Sequence, residues 1–187
     1  MTSTSPDLSH VRVLMMATNG FEQDELMLPR QALIDAGAQV TLAALDTDPI
    51  TGEKGGEKGE SITPDTTVDE VETENYDALV LPGGVANPDK LRMNERAVEI
   101  VGEFMDDEKI VAAICHGPWL LVEADVVDGR EVTSWPSIRT DLENAGADVV
   151  DREVVVDENL ITSRKPDDIP AFNRAVIEAL QKVPYEI

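Results

Sequence analysis

Four short, almost unbroken apolar runs constrain this chain more than any other feature of its sequence. They are Val11–Ala17, Ala38–Leu45, Tyr76–Leu81 and Ile110–Ile114. A run without polar alternation suits a strand covered on both faces, which is the situation of a parallel strand between two helical layers. Segments with helical spacing lie between the runs. Leu26, Leu28, Leu33 and Ile34 predict a helix from Glu22 to Ala36, with Gly37 where a C-terminal cap belongs. Leu91, Val98, Ile100, Val101, Phe104 and Met105 predict a long amphipathic helix from Pro88 to Asp107.

Further along, a helix is expected to begin at His116, followed by a strand near Glu131–Ser134 and a helix over Ser137–Ala145 closed by Gly146. Strands at Ala147–Val156 and Leu160–Ser163 and a last helix over Asp168–Lys182 complete the reading. Thr47–Thr67, with four glycines, two prolines and many charges, reads as a turn-rich excursion that demands no chemistry. The pattern therefore predicts one α/β domain over residues 11–187, a mostly parallel sheet sandwiched between helices, preceded by a flexible polar tail over residues 1–10. At 187 residues such a domain buries roughly 70% of the surface its unfolded chain exposes, enough for a sizeable core.

Charge narrows the partners. With 38 acidic against 15 basic residues, the formal charge is −23, a field that repels nucleic acid and anionic membranes. Acids spread through nearly every segment fit a surface adapted to concentrated salt, and so a halophile's cytosol, where the screening length falls to about 3 Å at molar salt. The single cysteine excludes an internal disulfide, and one cysteine with two histidines makes a poor zinc site, so neither a metal nor another cofactor is expected. Residues Met1–His10 lack the features of a signal peptide, and no apolar run approaches the roughly 18 residues a membrane span needs. A cytoplasmic protein is the expectation.

In sheets of this kind sites form beyond the carboxyl ends of the strands. Three strand ends carry reactive or flexible groups: Gly20-Phe21-Glu22, Pro82-Gly83-Gly84 and Cys115-His116. A strand that stops at Cys115 and turns straight into a helix puts the thiol on a sharp elbow, where the positive end of the helix favours thiolate. Cysteine is also often a small buried hydrophobe, but its place at the strand end, followed by histidine, favours a nucleophile. His116 is the one histidine outside the N-terminal tail and the only imidazole available as a general base. Glu22 follows the first strand at the same sheet edge, and a carboxylate beside a thiol must share a proton or shift its pKa. Glu25, one turn on, is a weaker candidate of the same kind. Gly84 and His116 can present backbone N–H groups to an oxyanion.

Phe21-Glu22-Gln23-Asp24-Glu25-Leu26, Leu81-Pro82-Gly83-Gly84, Ala113-Ile114-Cys115-His116-Gly117-Pro118 and Thr133-Ser134-Trp135-Pro136 together resemble the PfpI branch of the ThiJ/PfpI superfamily, from Val11 to about Lys182. The resemblance implies a flavodoxin-like, class I glutamine-amidotransferase-like fold with Cys115 on a nucleophile elbow. It implies that Cys115 is the nucleophile, His116 its partner, Glu22 the carboxylate touching the thiol, and Gly84 with His116 the oxyanion donors. A further carboxylate, contributed by a neighbouring subunit, falls on Asp89, an aspartate where the family pattern has glutamate. Trp135 falls at the pocket edge in place of a tyrosine. Glutamine amidotransferases share the elbow but use a downstream histidine, and Ser163-Arg164-Lys165-Pro166-Asp167 contains none.

Three functions follow as expectations. The first is a cofactor-free cysteine enzyme acting on carbonyl compounds: small aldehydes or dicarbonyls, glycated proteins, or peptides. It would work as a homo-oligomer, a dimer or higher, with glyoxalase, deglycase or peptidase chemistry. The second is a redox sensor or stress chaperone whose Cys115 is oxidised to sulfinate. The third is an inert relative that keeps the elbow without activity.

Overall fold

A computed structural model describes residues 6–185. The chain begins with β1 (Arg12–Met16), α1 (Gln23–Asp35) and β2 (Gln39–Ala44), followed by β3 (Ile50–Lys54), β4 (Glu57–Ile62) and the short β5 (Thr66–Thr67). It continues through β6 (Ala78–Leu81), α2 (Ala86–Leu91), α3 (Glu95–Asp106), β7 (Ile110–Ile114) and α4 (Trp119–Glu123). The last third holds β8 (Glu131–Val132), α5 (Arg139–Asn144), β9 (Asp148–Val149), β10 (Val154–Asp157), β11 (Leu160–Ser163) and α6 (Ile169–Leu180).

Seven strands form the central sheet in the order β10-β11-β7-β6-β1-β2-β5. All pairs are parallel except β10 with β11. The apolar runs behave as the sequence predicts, because each of their faces meets a helical layer. Val13 and Met15 of β1 join Leu26 and Leu33 of α1 and Phe172 and Val176 of α6 on one side. Leu14 and Met16 join Leu79, Leu81, Ile100, Phe104 and Leu121 on the other. The chain moves outward from β1 to β2 and β5, then returns to β6 on the opposite side of β1. The reversal leaves a crevice at the carboxyl ends of β1 and β6, with β7 next to it, where α/β sheets hold their ligands.

Several expectations are corrected. The helix anticipated over Pro88–Asp107 is two helices, because Asn94 caps α3 by accepting the Ala97 N–H at 2.9 Å. The Thr47–Thr67 excursion is a β-hairpin, with Gly55 and Gly56 both at positive φ in its turn. The single strand expected over Ala147–Val156 is two, β9 pairing with β8 and β10 with β11. The helix expected from His116 starts later, at Trp119. Of the anticipated tail, residues 1–5 lie outside the described residues. Leu8 is fully buried in the core, and the His10 ring stacks on Tyr185.

Candidate active site

The β7 strand ends at Ile114, and Cys115 follows at φ 64°, a left-handed conformation uncommon outside glycine. Holding it there costs of order 1–3 kcal/mol, which the surroundings must offset. They do so with backbone bonds on each side: Cys115 N–H donates to Ser163 O at 3.1 Å, Trp135 N–H to Cys115 O at 2.9 Å, and Gly117 N–H to Ile114 O at 2.9 Å. The strained residue thus ties β7, β11 and the Trp135 loop together and aims its side chain into the crevice. Such an elbow is a recurring way to present a nucleophile.

Three groups surround the sulfur. The backbone N–H groups of Gly84 and His116 favour the anionic sulfur, and the Glu25 carboxyl beside it opposes a second charge. Glu25 lies on the inner face of α1 and is fully buried. Its Oε2 accepts the Gly83 N–H at 2.9 Å, while Oε1 has no hydrogen-bond partner. Burial pushes the Glu25 carboxyl up to about 8, against the pull of the Gly83 N–H and the thiol. Burial likewise pushes the Cys115 thiol up, and the Glu25 charge adds to the rise, while the Gly84 and His116 N–H groups oppose it. His116 places Nδ1 3.2 Å from the sulfur and Nε2 3.3 Å from Ser137 Oγ. Burial lowers the ring's proton affinity, so it is neutral near pH 7. Around the thiol opens a cleft of about 540 Å³, bounded by α1, the hairpin turn, Val85 and Trp135.

The sequence pattern of the DJ-1/PfpI family matches residues 11–179. The chain belongs to this family. General stress protein 18 of Bacillus subtilis is 45% identical over 91% of this DJ-1/PfpI chain and 98% of its own length. Deglycase PfpI of Pyrococcus furiosus is 43% identical over 91% of the chain and all of its own. Among solved structures, a two-domain protein of Anabaena variabilis with DJ-1/ThiJ/PfpI-like and ferritin-like domains superposes with a TM-score of 0.86 at 38% identity. The match covers 91% of this chain and 48% of that one.

Within this DJ-1/PfpI chain, Cys115, His116, Gly84 and Trp135 converge on the cleft. Two expectations fail. Glu22 is the N-cap of α1, half-buried at the cleft rim, and the carboxyl against the sulfur is that of Glu25. The cause is helical geometry, since Glu25 shares the buried face with Leu26, Pro29 and Leu33 while Glu22 precedes the first turn. Glu22 is itself raised above the usual carboxylate range, by partial burial first and then by the charge of Asp24. The expected helix-end activation of the thiol also fails, because α4 starts four residues beyond Cys115 and is only five residues long. Individual N–H groups act on the sulfur instead, and burial outweighs them. Asp89, on α2, does not line the cleft of its own chain. It lies on a separate groove with Arg92, Met93 and Glu123.

Three contributors escaped the sequence reading. Asn87 is fully buried, accepting the Thr18 N–H at 2.8 Å and donating to Pro82 O and Gly83 O at 3.1 and 3.0 Å. It thereby fixes the Pro82-Gly83-Gly84 turn against the end of β1. The hairpin supplies Glu53 to Gly56 to the cleft, anchored by Glu53 N–H donating to Phe21 O at 2.7 Å and by the Lys54–Asp24 ion pair at 2.9 Å. Ser137 meets His116 from a turn 21 residues downstream. Among the described residues, no three His, Cys, Asp or Glu are grouped to hold a metal ion.

Proposed function

We propose that the protein is a cysteine-dependent enzyme acting on small carbonyl compounds, dicarbonyls and the early adducts they form with proteins. The observation that carries this reading is Cys115 held on its elbow at φ 64° in the cleft, with the buried carboxyl of Glu25 beside it. Carbonyl addition followed by proton relay needs only what is present. The relationship to Deglycase PfpI supports the same substrate class.

With methylglyoxal the chemistry balances as follows. In the state where Glu25 and Cys115 share one proton, the proton passes to Glu25 and the thiolate attacks the aldehyde carbon. The carbonyl π pair moves to oxygen, held by the Gly84 and His116 N–H groups and then protonated by Glu25. The Glu25 carboxylate takes the carbon-bound proton of the hemithioacetal, giving an enediolate, and returns it to the adjacent carbon while the hydroxyl proton passes from the first oxygen to the second. The resulting lactoyl thioester is cleaved by water, so methylglyoxal plus water gives lactic acid and the thiol is restored.

Assembly into a homo-oligomer belongs to the same reading. Val85 and Met93, 56% and 75% exposed, are apolar side chains at the cleft and on the Asp89 groove, a surface suited to a second copy. The cytosol of a halophile is the proposed setting, supported by the −23 charge. Among the described residues, no helix is long and apolar enough to cross a membrane.

The test is a panel of methylglyoxal, glycated amines and peptides, assayed with wild type and Cys115→Ala in concentrated KCl. Turnover of the first two classes, abolished by Cys115→Ala, is the expected result. Turnover of peptides alone would overturn the substrate assignment. Peroxide oxidation of Cys115 without turnover of any substrate would overturn the enzyme.

A further inference from the structure

We propose that Glu22 and Glu53 make the mouth of the Cys115 cleft a receptor for a cationic group, guanidinium or ammonium, so that positively charged adducts reach the sulfur in preference to neutral or acidic ones. The proposal rests on the reading of Cys115 as a nucleophile and names the charge class that its cleft admits.

The backbone brings the two carboxylates together. Glu22, where the chain enters α1, and Glu53, on β3 of the hairpin, form an isolated parallel bridge, and both line the cleft. Bridged residues stand side by side on one face, and like charges placed so repel each other. Among the described residues neither has an ion-pair partner, because the one lysine or arginine of the cleft, Lys54, is taken by Asp24 at 2.9 Å. The crowding registers on Glu22, whose carboxyl is raised by partial burial first, then by Asp24, with Lys54 opposing and Glu53 adding to the rise.

Two acids held across a backbone bridge without a counter-charge cost stability, and the cleft itself points to a ligand that offsets it. At the inner end, the fully buried Glu25 leaves Oε1 without a hydrogen-bond partner, an acceptor in the wall of the space that holds the nucleophile. At the outer end, Trp135 is 37% exposed and lines the space with Pro166. An indole face and carboxylates in one cleft suit guanidinium and ammonium groups, the ring through its quadrupole and the acids through charge-assisted hydrogen bonds. A cation seated on the rim relieves the repulsion between Glu22 and Glu53 while its adjoining carbonyl carbon lies toward Cys115. An acidic substrate would bring a further like charge to the same place.

Charged thiol reagents read this field without a substrate. The Cys115 thiolate attacks the sulfenyl sulfur of aminoethyl or sulfonatoethyl methanethiosulfonate, methanesulfinate leaves and a mixed disulfide forms. The ratio of cationic to anionic rates cancels the thiol's own reactivity, and in molar KCl a screening length of about 3 Å confines the readout to nearby charges. The wild-type ratio should exceed that of free mercaptoethanol about fourfold or more. Glu22→Gln and Glu53→Gln should each lower it about two- to fivefold, the scale of one unit charge a few ångströms away in a solvated cleft. Glu178→Gln, the same charge change on α6 outside the cleft, should leave it unchanged. N-acetylargininamide and N-acetyllysinamide should protect Cys115 from neutral iodoacetamide where N-acetylglutaminamide does not, and the better protector identifies guanidinium or ammonium as the preferred group. A wild-type ratio no higher than that of mercaptoethanol would overturn the proposal. So would equal shifts in Glu53→Gln and Glu178→Gln, or equal protection by all three amides. Absence of turnover, which would defeat the carbonyl-enzyme reading, is a separate result and leaves these readouts intact.

Discussion

Replacing Glu25 by glutamine keeps the shape and the acceptor for the Gly83 N–H but removes the proton that the site is built to hold. In the unfolded chain this carboxyl ionises near its ordinary 4.5, whereas in the fold it ionises at about 8. A folded-state pKa above the unfolded one contributes stability that is complete below pH 4.5 and is lost as pH rises toward 8. Each tenfold change in proton affinity is worth about 1.4 kcal/mol, so native wild type gives up about 3 kcal/mol between pH 5 and 8 from this one group. Glutamine does not titrate, and Glu25→Gln gives up none. Denaturant unfolding at pH 5, 6.5 and 8 in concentrated KCl should therefore show the variant gaining on wild type by about 3 kcal/mol across the range. Comparing the two proteins cancels the other acidic residues. Turnover of methylglyoxal should meanwhile fall at least about a hundredfold, the usual scale for removing a proton carrier. In wild type, activity should rise with pH through about 8, as the doubly protonated pair gives way to the pair that shares one proton. Parallel stability curves for the two proteins would refute a buried carboxyl that is neutral at pH 7. A variant with full turnover would refute its part in the chemistry.

Asn87→Ala should cost about 2–4 kcal/mol, since it leaves the Thr18 N–H and two carbonyls without the buried amide that joins them. A denaturation midpoint unchanged within error would show the clamp to be dispensable. Gly84 sits at φ +81°, and a Cβ there would run into Gly20 O and Glu22 N. Gly84→Ala should retain the circular dichroism of the fold while losing about a hundredfold in turnover through displacement of its N–H. Wild-type rates would remove Gly84 from the oxyanion site.

The sheet was legible because its strands are buried on both faces, and a run such as Ile110–Ile114 has few other homes. The hairpin was hidden for the opposite reason. β4 is Glu57-Lys58-Gly59-Glu60-Ser61-Ile62, with no buried residue and no apolar alternation, and it is held by its pairing with β3 and by bonds to α1, including Glu60 N–H to Gln23 Oε1 at 2.7 Å. Only Gly55-Gly56, a favoured hairpin turn, marked it in the sequence. Asn94 likewise carried the signal that divides the long helix, a capping residue three positions before Ala97, and apolar periodicity on both sides masked it.

Glu22 and Glu25 show how a site can be read to within one helical turn and still be misassigned. Proximity to the strand end favoured Glu22, but proximity in sequence does not decide which way a side chain faces. The deciding signal was the helix's own periodicity: Glu25 falls with Leu26, Pro29 and Leu33 on the stripe that must face the core. A lone carboxylate on an apolar stripe is costly unless it is neutral or paired, so that position alone singles it out as the acid with a perturbed pKa. The protonation state of Cys115 was less accessible. Strand, elbow and following helix are local features, and they point to a thiolate. Desolvation by the closed crevice and the nearby Glu25 carboxyl are tertiary effects, and they point to a thiol. With burial the larger, nucleophilicity cannot reside in Cys115 alone and must come from its exchange of a proton with Glu25, so removal of either residue should silence the site.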